Sequence, residues 1–279
     1  MRTILSSILM SLAAASVAAA ELTAIVAVEP TAKKEGMVVS RAALAAGLGK
    51  AAGTPVSVVT SEDLADVMRA TRSGGFDIFI APPQVAASAL MRGYELVGST
   101  DRAEHYVLVG RQRLASTADV KGGRIYLPQQ DSIYTYMARG MLNASGLSFK
   151  DLSAVQHERY PQAGLTALAL GMSDATVVRQ SDWDEWSKAN AGSAKVLATS
   201  TPVPGGFSVV VKKDLPADVR ARVTGWFVGS TQSVGLKPAT VRAELSEYKT
   251  VAELGLFTPT TLPGAKVVAA REVQQLIAR

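Results

Sequence analysis

Gly75-Phe76-Asp77-Ile78-Phe79-Ile80-Ala81-Pro82 is a short apolar run held between a glycine stop and a proline. Near-continuous apolar character over residues 76–80 predicts a strand covered on both faces, as in a parallel sheet sandwiched by helices. Working outward, Thr60 and Asp63 form a capping-box-like start for a helix reaching Arg72, which Gly74-Gly75 ends. On the other side Pro82 opens a helix to Met91, with proline in the first turn. Strands over 22–28, 56–59 and 94–98, with a helix over 37–52 stopped by Gly53, complete a βαβαβαβ series. Such alternation predicts parallel strands layered with helices.

The pattern then restarts. Strands are expected at 106–110, 124–127, 154–156, 175–178 and 195–198, with helices after Ser132, over 161–170 and over 182–188. A strand at 207–211 returns to the first half, and helices at 216–228, 239–247 and 265–277 close the chain. The fold class read from this is α/β, with two Rossmann-like lobes joined by a two-strand hinge at 106–110 and 207–211. Lobe one takes 21–105 with 207–279, and lobe two takes 106–206. Two crossing segments let such lobes close on a ligand, held at the carboxyl ends of the strands.

Residues 1–20 read as a cleaved export signal: Arg2, an apolar run over 4–17, then Ala18-Ala19-Ala20. That places the mature chain in the periplasm. There is no cysteine, which excludes a thiol nucleophile and thiolate metal sites. The net charge is +5, but Lys and Arg are scattered, with no basic stripe for nucleic acid. His105 and His157 lack partners at ligand spacing, so no metal site is expected. No Gly-x-Ser-x-Gly or His-Glu-x-x-His occurs. Ala46-Gly47-Leu48-Gly49-Lys50 ends a helix instead of opening one, which excludes a P-loop. The reading is a binding protein, not an enzyme, and it needs no cofactor. Trp183 and Trp186, three apart, read as a packing seam, and Glu62-Asp63 and Asp182/Asp184/Glu185 as solvated charge.

The ligand belongs to the loops that follow the strands. In lobe one these supply Glu29, Thr31, Pro82 and Gln84. In lobe two they supply Gln129, Gln130, Asp131, Ser132 and Tyr134, then Tyr160, then Arg179. The run 129–132 joins a strand to a helix, so backbone N–H groups and the helix dipole face the cleft. Arg179 offers an oxyanion a charged partner. Tyr134 and Tyr160 form an aromatic wall in this reading, or else pack in the core; Ser132 binds ligand, or else only caps its helix.

Several segments, in order, resemble one known family: Gly75 to Pro82, Gly93-Tyr94-Glu95-Leu96-Val97, the turn at 117–123, Asn143-Ala144-Ser145-Gly146-Leu147, and Ala167 to Ala175. The family is that of phosphate/phosphite/phosphonate-type substrate-binding proteins of ABC transporters, with the type II periplasmic-binding-protein fold. The resemblance implies a receptor that binds a small anionic solute between its lobes and presents it to a membrane permease. An alternative on the same fold is a sensor that signals to a membrane histidine kinase or similar receptor. The family's Ser-Thr-Ser-Gly anion run corresponds here to Ser132-Ile133-Tyr134-Thr135, and Asp131 brings a carboxylate beside it.

Overall fold

The computed structural model describes residues 21–29, 40–240 and 245–256; the expected export signal, Thr31 and the helix expected at 265–277 lie outside the described residues. The first half runs β1 (Leu22–Ala27), α1 (Arg41–Ala52), β2 (Val56–Ser61), α2 (Leu64–Ser73), β3 (Ile78–Ala81), α3 (Pro83–Leu90) and β4 (Tyr94–Glu104). The second runs β5 (Tyr106–Arg111), β6 (Arg124–Leu127), α4 (Ile133–Ala144), β7 (Ala154–His157), α5 (Ala163–Ala169), β8 (Ala175–Arg179), α6 (Gln180–Ala189) and β9 (Ala194–Thr199). The chain then returns through β10 (Val203–Lys212), α7 (Ala217–Gly229) and α8 (Leu245–Leu256). This is a mixed α/β fold with two five-stranded sheets, ordered β2-β1-β3-β10-β4 and β7-β6-β8-β5-β9.

Local chemistry sets the elements of the first sheet. All four residues of β3 are buried, as a strand between two helical layers requires. Asp77, the single charge in that apolar run, precedes β3 and accepts from the Thr23 N–H at 2.8 Å and its hydroxyl at 3.1 Å. The carboxylate thus ties the starts of β1 and β3 together. Asp63 caps α2, accepting from the Asp66 N–H at 3.0 Å, while Thr60 is taken up by β2 instead of the cap. Gly74 ends the helix at φ 66°, a left-handed turn that glycine makes without steric cost.

The parallel arrangement holds for β1 with β2 and β3, and for β6 with β7 and β8. It fails at the hinge. β10 runs antiparallel to β3 and β4, and β5 antiparallel to β8 and β9. A strand that crosses between sheets enters the new sheet from the hinge end, whereas each βαβ crossover enters from the far end. β4 and β10 also extend further toward the hinge than their apolar cores suggest, pairing Val203 with Glu104 and Gly205 with Asp101 through register shifts. Gly205 is required there, because a Cβ would lie 2.0 Å from the Arg102 carbonyl oxygen.

Helix α8 packs against both α3 and α4, which cover different sheets. Its Tyr248 is buried, with the hydroxyl 2.6 Å from Ser208 Oγ, and Arg139 of α4 donates to the Leu254 carbonyl at 3.0 Å. One apolar cluster therefore runs from Phe79 and Val85 through Tyr248 and Val251 to Met137 and Leu142. Trp183 and Trp186 pack with ring centroids 5.6 Å apart against a separate cluster around Val107 and Leu165.

Candidate functional site

The carboxyl ends of β1, β3, β6 and β8 face one another across the two sheets. β1 runs out into Glu29, and β3 into Pro82, which stands before α3 and so places Gln84 in its first turn. β6 leads through residues 128–132 to α4, whose N-cap is Ser132; its side chain accepts from the Thr135 N–H at 3.2 Å. β8 passes directly into α6, with Arg179 at the junction.

Here the Glu29 carboxylate crosses between the sheets. Its Oε1 accepts from the backbone N–H of Ile133, the first residue of α4, at 2.8 Å, and from Gln84 Nε2 at 2.6 Å. Gln84 Nε2 also donates to the Asp131 carbonyl at 3.1 Å. Burial raises the pKa of Glu29 above the ordinary carboxylate value, against the opposing pull of these hydrogen bonds and of Arg179.

A cavity of about 390 Å³ opens beside this junction, lined by Glu29, Pro82, Ile133, Tyr106, Phe207 and Arg179 among others. Its volume falls in the range of small-molecule sites, roughly 300–1,000 Å³. Charged groups on its wall are Glu29, Asp101, Glu104, Asp182 and Glu185 against Arg179 and Lys237. Arg179 Nε lies 3.4 Å from Glu104 Oε1, and Lys237 Nζ lies 2.6 Å from Asp101 Oδ1. Burial disfavours the charge on Arg179, but Tyr134, Tyr106, Glu104 and Glu29 around it outweigh that and raise its pKa. Burial raises the pKa of Glu104 as well, with Arg179 opposing.

Of the residues expected at the ligand, Glu29, Pro82 and Arg179 line the cavity, and Gln84 lies behind Glu29. Asp131 is held to its own helix: its Oδ1 accepts from the Tyr136 hydroxyl at 3.3 Å. The carboxylate at the α4 amide end is therefore that of Glu29. Ser132 is buried and engaged with Thr135. Tyr134 is buried edge-to-face on Tyr106, centroids 5.2 Å apart, and Tyr160 stands 38% exposed beneath the Arg159 guanidinium. Neither tyrosine belongs to the cavity wall. Gln129 donates to the Glu62 carbonyl across the rim at 3.1 Å, beside an Arg159–Glu62 ion pair, and Gln130 is exposed.

Sequence reasoning missed Asp101, Glu104 and Lys237 at the cavity. It read Asp182 and Glu185 as solvated; Glu185 is exposed, Asp182 is half-buried, and both also line the cavity, because α6 starts at Gln180, directly after Arg179. Their i, i+3 spacing one turn after Arg179 was the available signal. Glu62, just after β2, is exposed as read, and it also pairs with Arg159 while its backbone carbonyl accepts from Gln129. Among the described residues no group of three or more His, Cys, Asp or Glu is placed to hold a metal ion.

Two α/β sheets, antiparallel hinge strands and a cavity at the strand ends define the type II periplasmic-binding-protein class. The sequence matches the model of the ABC transporter, phosphonate, periplasmic substrate-binding proteins over residues 26–252, and the chain belongs to that family. No curated protein matches the chain. Among solved structures it is similar to PhnD1 from Prochlorococcus marinus in complex with methylphosphonate, at 15% identity and TM-score 0.62, covering 85% of this chain and 97% of that one. A binding protein component of an ABC phosphonate transporter from Pseudomonas aeruginosa aligns at 12% identity and TM-score 0.58, covering 92% and 95%. A Xanthomonas citri protein bound to ATP aligns at 14% and 0.65, covering 91% and 99%. At these identities the structures carry the fold. The family is one of transport, and no neighbour favours the sensor alternative.

Proposed function

We propose that this chain captures a small oxyanion of the phosphonate class in the cavity between its two sheets and presents it to the permease of an ABC importer. It does so in the periplasm, after export directed by residues 1–20, and it performs no reaction on its cargo. Lobe one comprises 21–105 with 207–279 and lobe two 106–206, closing about the two hinge segments.

The observation that carries this reading is the Arg179 guanidinium on the wall of a cavity at the strand ends, beside the first amide of α4. A guanidinium offers an oxyanion paired, charge-assisted hydrogen bonds. The family match supplies the cargo class, and the neighbour bound to methylphosphonate supports it. A thermal-shift series with methylphosphonate, phosphate, phosphite and methanesulfonate tests it. A ligand at 100 times its Kd stabilises the native state by about 2.7 kcal/mol, so at least one oxyanion raises the melting temperature. No shift with any of them overturns the reading.

A further inference from the structure

Glu29 and α4 belong to different sheets, yet the carboxylate of one accepts from the first N–H of the other at 2.8 Å. A helix N-terminus is a ready anion site, because its first amides lack intrahelical partners and the dipole favours negative charge. In this protein a carboxylate of the chain itself has taken that place. Gln84 holds it there by donating to Glu29 at 2.6 Å and to the Asp131 carbonyl at 3.1 Å.

Gln84 is only 1% exposed, and its remaining polar atom, Oε1, has no hydrogen-bond partner. The cradle at α4 thus presents the Glu29 carboxylate, which repels a second oxyanion, while Gln84 stays behind it, outside the cavity wall. Glu104 beside Arg179, with Asp182 and Glu185 on the helix that follows it, adds negative charge on the Arg179 side, which likewise favours a singly over a doubly charged guest. Like charges at close range in a site shielded from water cost far more than they do in solution.

We propose that Glu29 is the specificity-determining residue of the cavity: it fills the amide end of α4 as an internal anion, excludes doubly charged oxyanions from that end, and confines a singly charged head group to the Arg179 side. The inference rests on the reading of the cavity as an anion site, and it names the residue that sets which anions enter. Removing the carboxylate frees an amide-lined hollow of its own size.

The test compares wild type, Glu29→Ala and Glu29→Gln, with formate, methanesulfonate and methylphosphonate as probes, by thermal shift and titration calorimetry. Formate replaces the missing carboxylate, so it raises the melting temperature of Glu29→Ala by ~3 °C or more while leaving wild type unmoved. Methylphosphonate binds either variant at least ~10-fold more tightly than wild type, about 1.4 kcal/mol, and methanesulfonate gains less. Formate shifting both proteins alike, or neither, overturns the proposal. Should Glu29→Ala fail to fold, Glu29→Gln keeps size and acceptor oxygen; unchanged or weaker methylphosphonate binding in it overturns the proposal equally. Formate rescue with no phosphonate binding in any protein leaves Glu29 as the internal anion and overturns instead the phosphonate reading.

Discussion

Arg179 and Lys237 are the cations on the cavity wall, and Lys237 is already tied to Asp101 at 2.6 Å. Arg179 is held more loosely, 3.4 Å from Glu104, and in the proposed function it is the residue through which an incoming oxyanion gains charge-assisted bonds. Hydrogen bonds to charged groups contribute about 1.5–3 kcal/mol, so Arg179→Gln weakens methylphosphonate binding by roughly 10- to 100-fold in titration calorimetry; affinity within twofold of wild type would exclude this role. Acidity gives a second prediction. Burial raises the pKa of Glu29 and Glu104, so the folded state holds their protons more firmly than the unfolded chain, whose carboxyls titrate near 4.5. Their contribution to stability is present below that value and is lost as pH rises through the raised one. Asp174 behaves oppositely: burial opposes its charge, but hydrogen bonds from Arg124 and Arg113 outweigh that and pull its pKa below 3.8. Its contribution is lost as pH falls further. The melting temperature should rise as pH falls toward the ordinary carboxylate value and drop once pH falls low enough to protonate Asp174, with Glu29→Gln flattening the rise; a steady decline from neutral pH would count against buried Glu29. At this scale the sequence pointed to Glu29, Gln84 and Arg179 as residues near the cavity, since each lies at or within three residues of a strand's carboxyl end. It hid Glu104, at the end of the extended β4, and Lys237, in the segment after α7, which meets the cavity beside Asp101 of β4.

The elements themselves were largely legible, because glycine stops, caps and apolar runs are local signals. α2 between Asp63 and Gly74, buried β3 and the α3 start at Pro83 follow from residues within a turn of each boundary. What local signals do not carry is strand direction at the hinge, which follows from where the chain enters a sheet. The extra length of β4 and β10 was hidden for a related reason. Thr100 to Glu104 and Pro204-Gly205-Gly206 show no apolar alternation; they pair with one another instead of covering a core. Ser132 has an element-level role that accounts for its side chain. Its Oγ accepts from the Thr135 N–H and donates to the Thr135 hydroxyl, both at 3.2 Å, and the side chain is 2% exposed. Ser132→Ala should therefore cost about 1 kcal/mol of stability, the usual loss of a helix cap. Oxyanion affinity should stay within about threefold, since ~0.6 kcal/mol is the most that a small shift of α4 introduces. A variant with unchanged melting temperature but much weaker binding would return Ser132 to the ligand.

Among the described residues, the ties between the sheets differ in strength, and Arg179 with Glu104 on the cavity wall is one of them. Deep in the cleft, Glu29 meets Ile133 and Gln84 meets Asp131. At the rim, Glu62 takes the Arg159 guanidinium and the Gln129 amide. Behind both, α8 packs on α3 and α4 through Tyr248, Val251 and Leu254. The rim pair is exposed, and such pairs contribute only about 0–1 kcal/mol. A two-state balance of a few kcal/mol nevertheless responds to increments of that size. Joint Arg159→Ala and Gln129→Ala should leave the melting temperature nearly unchanged yet shift the ligand-free protein toward an open form. Small-angle scattering would then show a larger radius of gyration, which saturating methylphosphonate reverses. Because α8 is anchored on helices of both sheets, opening must strip its packing from one of them. Amide exchange within Tyr248–Ala252 should accordingly quicken in the double variant and slow again with ligand. A radius and exchange pattern identical in all four samples would mean that α8 locks the sheets into one rigid body, and ligand would then have to enter by side-chain movement alone, with Glu29 as the group that yields.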